Sequence, residues 1–452
     1  MQNGNRYLKK VVACSSIAVL PLQISAQNQP DIILIMTDQQ TADAMSNRGN
    51  LNLVTPAMDE LAADGIVFSR AYCSYPLSGP SRASIMTGKM PSEINVLENN
   101  DPLSEEEQKK TIGFTMLQAG YDCLYAGKWH VPAVEIPDKK FGFKKIAGMY
   151  DPDMAAHIEA ALSEKREKPL FLVASYLNPH EICEYARSQT LHYGEIPIAD
   201  DAVFPELPDN FDATEDLSEL LTLHKKMSPK LHPTENYTEQ DWKNYLYAYY
   251  RLVERVDAHI GELINLLKEK DLYDNSVIIF TSDHGDGVAA HQWNQKRALF
   301  EESIRVPLIV KPAKGGKATI NRDIGALVNI GIDLYPTICD YGNTPIPEEL
   351  NGISLKGIIE GTKEPHRSIF VETHFDAING RSWCVIKDNF KYVFYRFFKN
   401  REQLFDLSTD KGETTNLMRD SRYENVYREM KAELLHHAQK VNDKMLIKDL
   451  NF

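Results

Sequence analysis

A serine at position 78 opens the segment whose residue types are best suited to chemistry, the run Ser-Gly-Pro-Ser-Arg at 78–82. The alternating residues 67–72 predict a strand, and Pro80 suits the first position of a following helix. Ser78 would then lie just before a helix N-terminus, where free N–H groups and the helix dipole favour negative charge. A nucleophile that attacks an anionic ester would suit this place, with Arg82 one turn inside the helix. Taken alone, these residues are explained more simply by an ordinary serine N-cap.

Acidic residues follow two strands that the sequence predicts to be buried on both faces. The apolar run 31–36 leads to Asp38 and Gln39, and a later run leads to Asp283 and His284. Because ligands bind at the carboxyl ends of strands in such sheets, we expect these four side chains to converge at one edge. Their oxygen atoms suit a hard cation such as Ca²⁺, while the imidazole leaves manganese or zinc open.

Four basic side chains occupy comparable places. Lys128 and His130 come directly after a short predicted strand, and His180 follows the buried strand predicted over 170–176. Lys296 lies in a polar segment after the second acidic motif. Each of these residues, considered singly, is more simply a solvated or structural residue than a catalytic one.

The elements that would position these residues indicate an α/β protein. Helices are predicted near 56–64, 112–119, 238–270 and 329–341, between the strands already named and further strands over 121–126 and 305–310. Beyond residue 362 the pattern changes to short strands over 368–373, 383–387, 391–396 and 403–406, followed by a polar helix from about Arg422. We therefore expect a large, mainly parallel sheet in residues 28–361 and a small antiparallel sheet in 362–452. The segment 185–236 has few periodic apolar positions and is expected to be a lid or a substrate-contacting excursion.

Composition and charge narrow the range of function classes open to this protein. The 452 residues are 43% hydrophobic and 25% charged, as is usual for a globular protein, and carry a net charge of −14. This charge argues against nucleic-acid binding, and it means that an anionic substrate must be attracted by a local basic pocket. No stretch beyond the N-terminal segment has the length and apolarity of a membrane span, so no transmembrane anchor is expected.

The first 26 residues predict a signal peptide, with a basic start and an apolar run over 11–22 that is too short to span a bilayer. Cys14 could belong to a lipoprotein box, but only three apolar residues separate it from Lys10, so a cleaved signal is favoured. We expect secretion across the inner membrane to a periplasmic or extracellular location. The five cysteines that follow show no disulfide framework or zinc-binding spacing.

Taken together, the motifs resemble those of type I, formylglycine-dependent sulfatases, in the serine-type form found in bacteria. The family signature Ser/Cys-x-Pro-Ser-Arg-x-x-x-x-Thr-Gly matches residues 78–88. Further matches follow the family's order at 37–40, 127–130, 178–180, 282–285 and 296–307, and 404–416 resembles the family's small-sheet hairpin. The resemblance implies an alkaline phosphatase-like fold, a mixed and mainly parallel sheet between helices with a small C-terminal antiparallel sheet and helix.

The resemblance also implies a nucleophile and a metal site. Ser78 would be oxidised to formylglycine (3-oxoalanine), whose hydrated gem-diol is the nucleophile. A calcium ion would be held by Asp38, Gln39, residue 78, Asp283 and His284. The family often has Asp and Asn where this chain has Gln39 and His284, which weakens the choice of metal and leaves Mn²⁺ possible.

The remaining roles follow from the same resemblance. Arg82 would orient and stabilise the gem-diol, while Lys128 and Lys296 would bind sulfate oxygens. His180, or with less support Lys296, would protonate the leaving alcohol. His130 would take the gem-diol proton, so that sulfate is released.

The resemblance implies a sulfated saccharide substrate, of glycosaminoglycan or mucin type, and an anaerobic radical maturase that acts on Ser78. Two alternatives stay open: a phosphonate monoester or phosphodiester hydrolase of the same fold, and an inactive secreted glycan-binding homologue in which Ser78 stays unmodified. Several polar residues flank the motifs and are candidates for sugar contacts, although surface polarity explains each: Asn99, Asn100, Glu181, His291 and Trp293.

Overall fold

A computed structural model describes residues 29–132, 141–163, 165–198, 202–316 and 319–451. The predicted signal peptide, residues 1–26, lies outside them. Within these ranges, twelve strands form two sheets: β1 (Asp31–Asp38), β2 (Ile66–Tyr72), β3 (Asp122–Gly127), β4 (Lys144–Ala147), β5 (Leu170–Pro179), β6 (Ser276–Ser282), β7 (Leu308–Lys311) and β8 (Arg322–Asn329) in the large one, and β9 (Ser368–Phe375), β10 (Gly380–Lys387), β11 (Phe390–Tyr395) and β12 (Glu402–Asp406) in the small one.

The large sheet has the strand order β4-β3-β5-β1-β6-β7-β2-β8. Its neighbouring strands run parallel, except that β7 is antiparallel to both β6 and β2. β1 lies at the centre, where Ile33 is in register with Leu172 of β5 and Ile278 of β6. The prediction of a mixed, mainly parallel sheet is confirmed, and it places the ends of β1, β5 and β6 side by side.

Helices cover both faces of this sheet because its central strand is apolar on both sides. Ile32 and Leu34 pack into a core shared with the helices α2 (Ser78–Thr87) and α10 (Ile330–Tyr341), whereas Ile33 and Ile35 pack into a core shared with α1 (Pro56–Ala63) and α8 (Glu239–Glu269). The helices of the described chain are α1 (Pro56–Ala63), α2 (Ser78–Thr87), α3 (Glu105–Gln108), α4 (Ile112–Gln118), α5 (Met154–Leu162), α6 (Ile182–Ala186), α7 (Glu219–Met227), α8 (Glu239–Glu269), α9 (Glu301–Ile304), α10 (Ile330–Tyr341), α11 (Leu355–Ile359), α12 (Glu424–Lys440) and α13 (Lys444–Leu450). None of them combines the length and the apolar character that crossing a bilayer requires.

The small sheet is antiparallel, in the order β12-β11-β10-β9, as predicted. Trp383 and Phe394 on one of its faces pack against α12 and α13. Cys384 and Val393 on the other face join the apolar core that lies on one side of the large sheet. The two sheets are thus packed together, and the subdomain boundary near residue 362 stays a prediction.

Three elements differ from their predictions. α2 begins at Ser78 itself and holds Pro80 in its third position, which is tolerated because the first N–H groups of a helix have no intrahelical partner. β7 begins at Leu308 and not at residue 305, since Pro307 has no N–H to donate to a neighbouring strand. The supposedly irregular segment 185–236 contains the helix α7.

Candidate active site

The central feature of the site is a buried arginine between two buried carboxylates. Arg82 lies in the first half of α2, Asp38 ends β1, and Asp283 directly follows β6. The arginine Nη2 donates to Asp38 Oδ2 at 2.9 Å, and its Nε donates to Asp283 Oδ2 at 2.7 Å, with all three side chains inaccessible to solvent. Its Nη1 donates to Lys128 O at 2.9 Å and to Ser175 Oγ at 2.8 Å. The guanidinium therefore fixes four separate chain segments relative to one another.

This cluster also stabilises the charges that it contains. Although burial opposes ionisation, Asp283 and Asp38 raise the pKa of Arg82. Burial equally opposes the charge of Asp38, but the cations Lys128 and Arg82 hold the pKa of that carboxyl well below its usual range. Lys128 contributes directly, since its Nζ lies 2.6 Å from Asp38 Oδ2. Asp38 is thus an anionic ligand at neutral pH.

Ser78, the first residue of α2, contacts the same cluster. Its Oγ lies 2.9 Å from Nε2 of His284, and Nδ1 of this histidine lies 2.8 Å from Gly285 O. A carbonyl oxygen can only accept, so Nδ1 carries the proton in the neutral ring and Nε2 presents a lone pair. Burial lowers the pKa of His284, which favours this neutral form.

These residues fit a divalent cation. The nearest ligand atoms of Asp38, Asp283 and His284 all lie within 4.8 Å of one another. Asp38 Oδ1 is buried and has no hydrogen-bond partner in the described chain, so this oxygen is free to bind a cation. Carboxylate oxygens and one imidazole nitrogen suit Ca²⁺ or Mn²⁺.

Gln39 connects this set to Lys296. It adopts a positive φ of 68°, directly after β1, and its side-chain Oε1 accepts from Lys296 Nζ at 2.9 Å. Its Nε2 donates to Asp286 Oδ2 at 2.7 Å, and its backbone N donates to Asp283 Oδ1 at 3.1 Å. The amide is therefore held in one orientation, with its oxygen towards the site.

Two histidines complete the set of predicted residues. His130 lies after β3 with a positive φ of 50°, and its buried Nδ1 has no partner in the described chain. Burial, reinforced by Lys128, lowers the pKa of His130 to about 3. His180 follows β5, and burial, Lys128 and Lys296 lower its pKa well below the ordinary value. Both imidazoles are neutral in the free protein.

The sequence does not predict the residues that hold Gln39 in place by hydrogen bonds. Asp286 accepts from Tyr245 OH at 2.8 Å and from Val288 N at 2.9 Å, in addition to its bond with Gln39. Tyr249 OH donates to Gln39 O at 2.8 Å. Both tyrosines lie on the buried side of α8, whose periodic spacing predicts only a core-facing surface. The acidic residue at position 286, close to the second acidic motif, is the one feature of the sequence that points to these supporting hydrogen bonds.

We expect Tyr245→Phe to destabilise the fold by about 1–3 kcal/mol, because it removes a donor from a buried carboxylate. Burial raises the pKa of Asp286 to about 6, so this group is sensitive to the loss of a donor. Denaturant unfolding at pH 7.5 measures the effect. Tyr247→Phe on the same helix is the matched control, because that hydroxyl makes only a 3.4 Å bond to Pro197 O. Equal stability of the two variants would contradict the prediction.

Of the five flanking residues, Asn100 is exposed, Asn99 is partly buried and the other three are buried. Asn99 lies in the wall of a pocket beside His180, where its Oδ1 accepts from Gly79 N at 2.9 Å. Three others are buried, contrary to the expectation of surface or sugar-contacting positions: Glu181 accepts from Asn178 Nδ2, the His291 Nδ1 contacts Ala213 O, and Trp293 donates to Lys296 O. Trp293 thereby supports the loop that carries Lys296.

Comparisons with known proteins agree with this geometry. Residues 30–344 match the Sulfatase family, and residues 289–440 match the C-terminal region of N-sulphoglucosamine sulphohydrolase. The chain is 28% identical to a Delta 4,5-hexuronate-2-O-sulfatase of Bacteroides thetaiotaomicron, covering 94% of this chain and 92% of that one. It is 26% identical to an N-acetylglucosamine-6-O-sulfatase of the same organism, covering 97% and 91%.

The solved structure of a 2-O GAG sulfatase superposes with a TM-score of 0.82 at 27% identity, covering 92% of this chain and 93% of the other. Fold and sequence together define an enzyme that hydrolyses esters of sulfuric acid. The chain belongs to the sulfatase family, within its bacterial type I members.

Proposed function

We propose that this protein is a secreted, serine-type sulfatase that removes sulfate from carbohydrate, of glycosaminoglycan or mucin type, with formylglycine at position 78 and a divalent cation. The observation that carries the proposal is the position of Ser78. Its Oγ lies at the first turn of α2, 2.9 Å from the lone-pair nitrogen of His284 and beside two buried carboxylates. An anionic group there meets a helix N-terminus and a dense cationic cluster.

The cation would be held by Asp38, Gln39, residue 78, Asp283 and His284. When bound, it would lower the pKa of the attacking hydroxyl of formylglycine and neutralise charge on the sulfate. Ca²⁺ is our first choice and Mn²⁺ the second. An anaerobic sulfatase-maturating radical enzyme would be the partner that oxidises Ser78 before export.

The chain's own basic residues would bind and position the ester. Lys128 contacts Asp38 and Lys296 contacts Gln39, and both present point charges suited to sulfate oxygens. Arg82 is fully engaged by Asp38 and Asp283, so its role is to hold the ligands and the start of α2 in place. The positive charges that neutralise the transferring sulfate group are thereby in place before substrate binds.

Proton transfer would be divided between the two histidines. A bound sulfate ester brings negative charge that offsets Lys128 and Lys296, the cations that depress the pKa of His180. Substrate binding therefore raises the pKa of His180 towards that of a general acid, which gives its proton to the leaving alcohol. His130, neutral in the free protein, is available to accept the proton of the nucleophile.

The experiment that tests this function is sulfate release from a panel of sulfated mono- and disaccharides, using protein produced together with the radical maturase. Ion chromatography of free sulfate supplies the measurement. Hydrolysis of a phosphonate monoester in preference to every sulfate ester would replace the proposal with the phosphonate hydrolase alternative. Binding of sulfated glycans without any sulfate release, together with an unmodified Ser78, would favour the glycan-binding alternative.

Metal removal is expected to abolish hydrolysis reversibly, with activity returning on addition of Ca²⁺. At a metal concentration 100 times its Kd, the folded state should gain about 2.7 kcal/mol, seen in the denaturant midpoint. Asp38→Asn should remove this metal-dependent gain, because it replaces an anionic ligand. Asp323→Asn is the control, since Asp323 is a surface carboxylate paired with Arg48. A metal-dependent gain in stability that persists in Asp38→Asn would mean that the cation binds at another site.

A further inference from the structure

A pocket beside the catalytic cluster has features that the sulfate-binding residues do not explain. His180 and Lys296 line this pocket, as does Leu77, which directly precedes Ser78. Other lining residues come from the segment 185–236, which has few periodic apolar positions, and include Arg187, His224 of α7 and His232. A leaving alcohol protonated by His180 would have this space to extend into.

His224 is the clearest sign that the pocket binds a ligand. Its residue is 0% exposed, and neither of its ring nitrogens has a hydrogen-bond partner in the described chain. The ring is fixed by aromatic neighbours, with centroids of Phe375 and His232 at 5.0 Å and 5.4 Å and a stacked Trp293 at 6.5 Å. A buried polar side chain without a partner is costly, and a ligand hydroxyl that bonds His224 would offset that cost.

The two imidazoles of this wall suit hydroxyl groups. Burial lowers the pKa of His224 to about 4 and that of His232 to about 3, so both are neutral at physiological pH. A neutral imidazole has one donor and one acceptor, which matches a sugar hydroxyl. His232 Nδ1 is occupied by Asn294 Oδ1 at 3.0 Å, whereas neither ring nitrogen of His224 has a partner in the described chain.

The charge of the pocket points to a second anionic group on the sugar. In the described chain its wall contains Arg187, Lys296 and Arg297, and no carboxylate. Arg297 is neutralised by Glu98, with two N–O distances of 2.9 Å and 2.7 Å. Lys296 is directed towards Gln39 and the sulfate position. Arg187 donates through Nε to Lys230 O at 3.0 Å, and its Nη groups have no partner among the described residues.

We propose that this pocket binds the sugar ring that bears the sulfate ester, that His224 bonds a ring hydroxyl, and that Arg187 pairs with the carboxylate of a uronic acid. The inference rests on the proposed sulfatase function and adds the substrate class. A carboxylate is favoured over a second sulfate because the planar guanidinium matches it with two parallel N–H bonds. The pocket would thus select an acidic monosaccharide unit in a protein whose net charge of −14 repels such ligands elsewhere.

Arg187→Gln tests the carboxylate contact with matched substrates, glucuronic acid and glucose sulfated at the same carbon, for positions 2, 3 and 4 in turn. We expect the wild type to prefer the best glucuronic acid sulfate over its glucose counterpart by about 10- to 100-fold in kcat/KM, and the variant to lose that preference. Activity on the glucose sulfate should fall by a smaller factor, because that substrate has no carboxylate for Arg187 to bind. Arg48→Gln, a surface arginine paired with Asp323, is the control.

Three results would overturn the carboxylate assignment: no preference in the wild type, an unchanged preference in Arg187→Gln, or a stronger preference for a disulfated glucose. Binding separates this failure from that of the sulfatase function. Calorimetric titration of Ser78→Ala with glucuronic acid sulfate should show affinity that a second substitution, Arg187→Gln, reduces about 10-fold or more. If Ser78→Ala binds glucuronic acid sulfate in this way but the matured wild type does not hydrolyse it, the pocket assignment stands and the sulfatase function is rejected. If there is neither binding nor hydrolysis, the pocket assignment and the sulfatase function are both rejected.

His224→Phe tests the hydroxyl contact while keeping the aromatic packing. We expect kcat/KM for sugar sulfates to fall about 10-fold, and kcat/KM for an aryl sulfate, which has no ring hydroxyl, to change less than about 3-fold. The denaturant midpoint should not fall, because phenylalanine needs no hydrogen-bond partner. Equal losses on sugar and aryl substrates would assign His224 a purely structural role.

Discussion

Ser78→Ala is expected to reduce sulfate-ester hydrolysis by roughly 10⁴-fold or more, since loss of a covalent nucleophile leaves only the contribution of binding and charge stabilisation. Position 78 combines three properties that few serines share. It is the first residue of a helix, it is fully buried, and its Oγ lies 2.9 Å from the His284 lone pair. The fold should be retained, because alanine fits the first turn of a helix and removes only one hydroxyl.

The same protein gives a direct chemical readout. Mass spectrometry of the tryptic peptide carrying Ser78, after production with the maturase, should show a loss of two hydrogens (roughly two mass units). Ser84→Ala is the matched control: Ser84 lies later in α2, donates to Lys89 O, and should leave both the modification and the activity unchanged. An active enzyme with an unmodified Ser78, or activity that survives Ser78→Ala, would remove formylglycine from the mechanism.

The convergence of the predicted site residues could be derived from the sequence because it follows from parallel strands. Asp38 and Asp283 each come at the end of an apolar run, and such runs form neighbouring strands whose carboxyl ends share one edge. The register that sets Ile33 beside Ile278 then brings the two carboxylates to one arginine. Long apolar runs and residues at their ends are therefore informative without an alignment.

The supporting hydrogen bonds could not be derived in this way. Asp286 meets Tyr245 across 41 positions in the chain, and Gln39 across 247. The periodic pattern of α8 indicates only which face of the helix is buried. A tyrosine on that face gives the same pattern whether or not its hydroxyl is hydrogen-bonded. Tertiary packing alone decides which of these hydroxyls reaches a carboxylate.

The pocket wall shows the same limit for a different reason. α7 has only three buried side chains, and one of them is the polar His224, so its apolar pattern is too short to predict a helix. A residue that faces a ligand does not contribute to the periodicity of the core. The segment that is least regular in the sequence is thus the one in which substrate contacts are expected.

Lys391→Met is expected to lower the free energy of unfolding by about 3–5 kcal/mol at pH 9, because it leaves the buried carboxylate of Glu413 without its cation, whereas Glu301 keeps its ion pair with Arg305. Lys391 of β11 is inaccessible to solvent, and its Nζ lies 2.7 Å from Glu413 Oε1 and 3.2 Å from Glu301 Oε1. Glu413 also accepts from Glu301 N at 2.7 Å. The ion cluster therefore joins the small sheet to α9, which follows the loop that carries Lys296. Chemical unfolding at several pH values measures the effect.

The pH dependence has a definite sign. Burial raises the pKa of Glu413 to about 8 from an ordinary value of 4.5, so the folded state binds its proton more tightly than the unfolded state does. Stability from this group therefore falls as pH rises from near 4.5 through about 8. Without Lys391 that pKa rises further, and the fall continues to higher pH. The deficit of the variant should consequently widen above pH 8 and narrow towards pH 5, where a proton replaces the cation.

Lys387→Met is the matched control for this effect. Lys387 lies on the adjacent strand β10 and pairs with Glu429 at 2.8 Å and Glu433 at 3.5 Å, but its side chain is 22% exposed and those of its partners more so. Exposed pairs contribute at most about 1 kcal/mol, so its loss should be small and nearly independent of pH between 5 and 9. A similar deficit in both variants would mean that desolvation of the buried ions cancels their attraction. The contact between the two sheets would then depend on apolar packing through Cys384 and Val393, and not on the ion cluster.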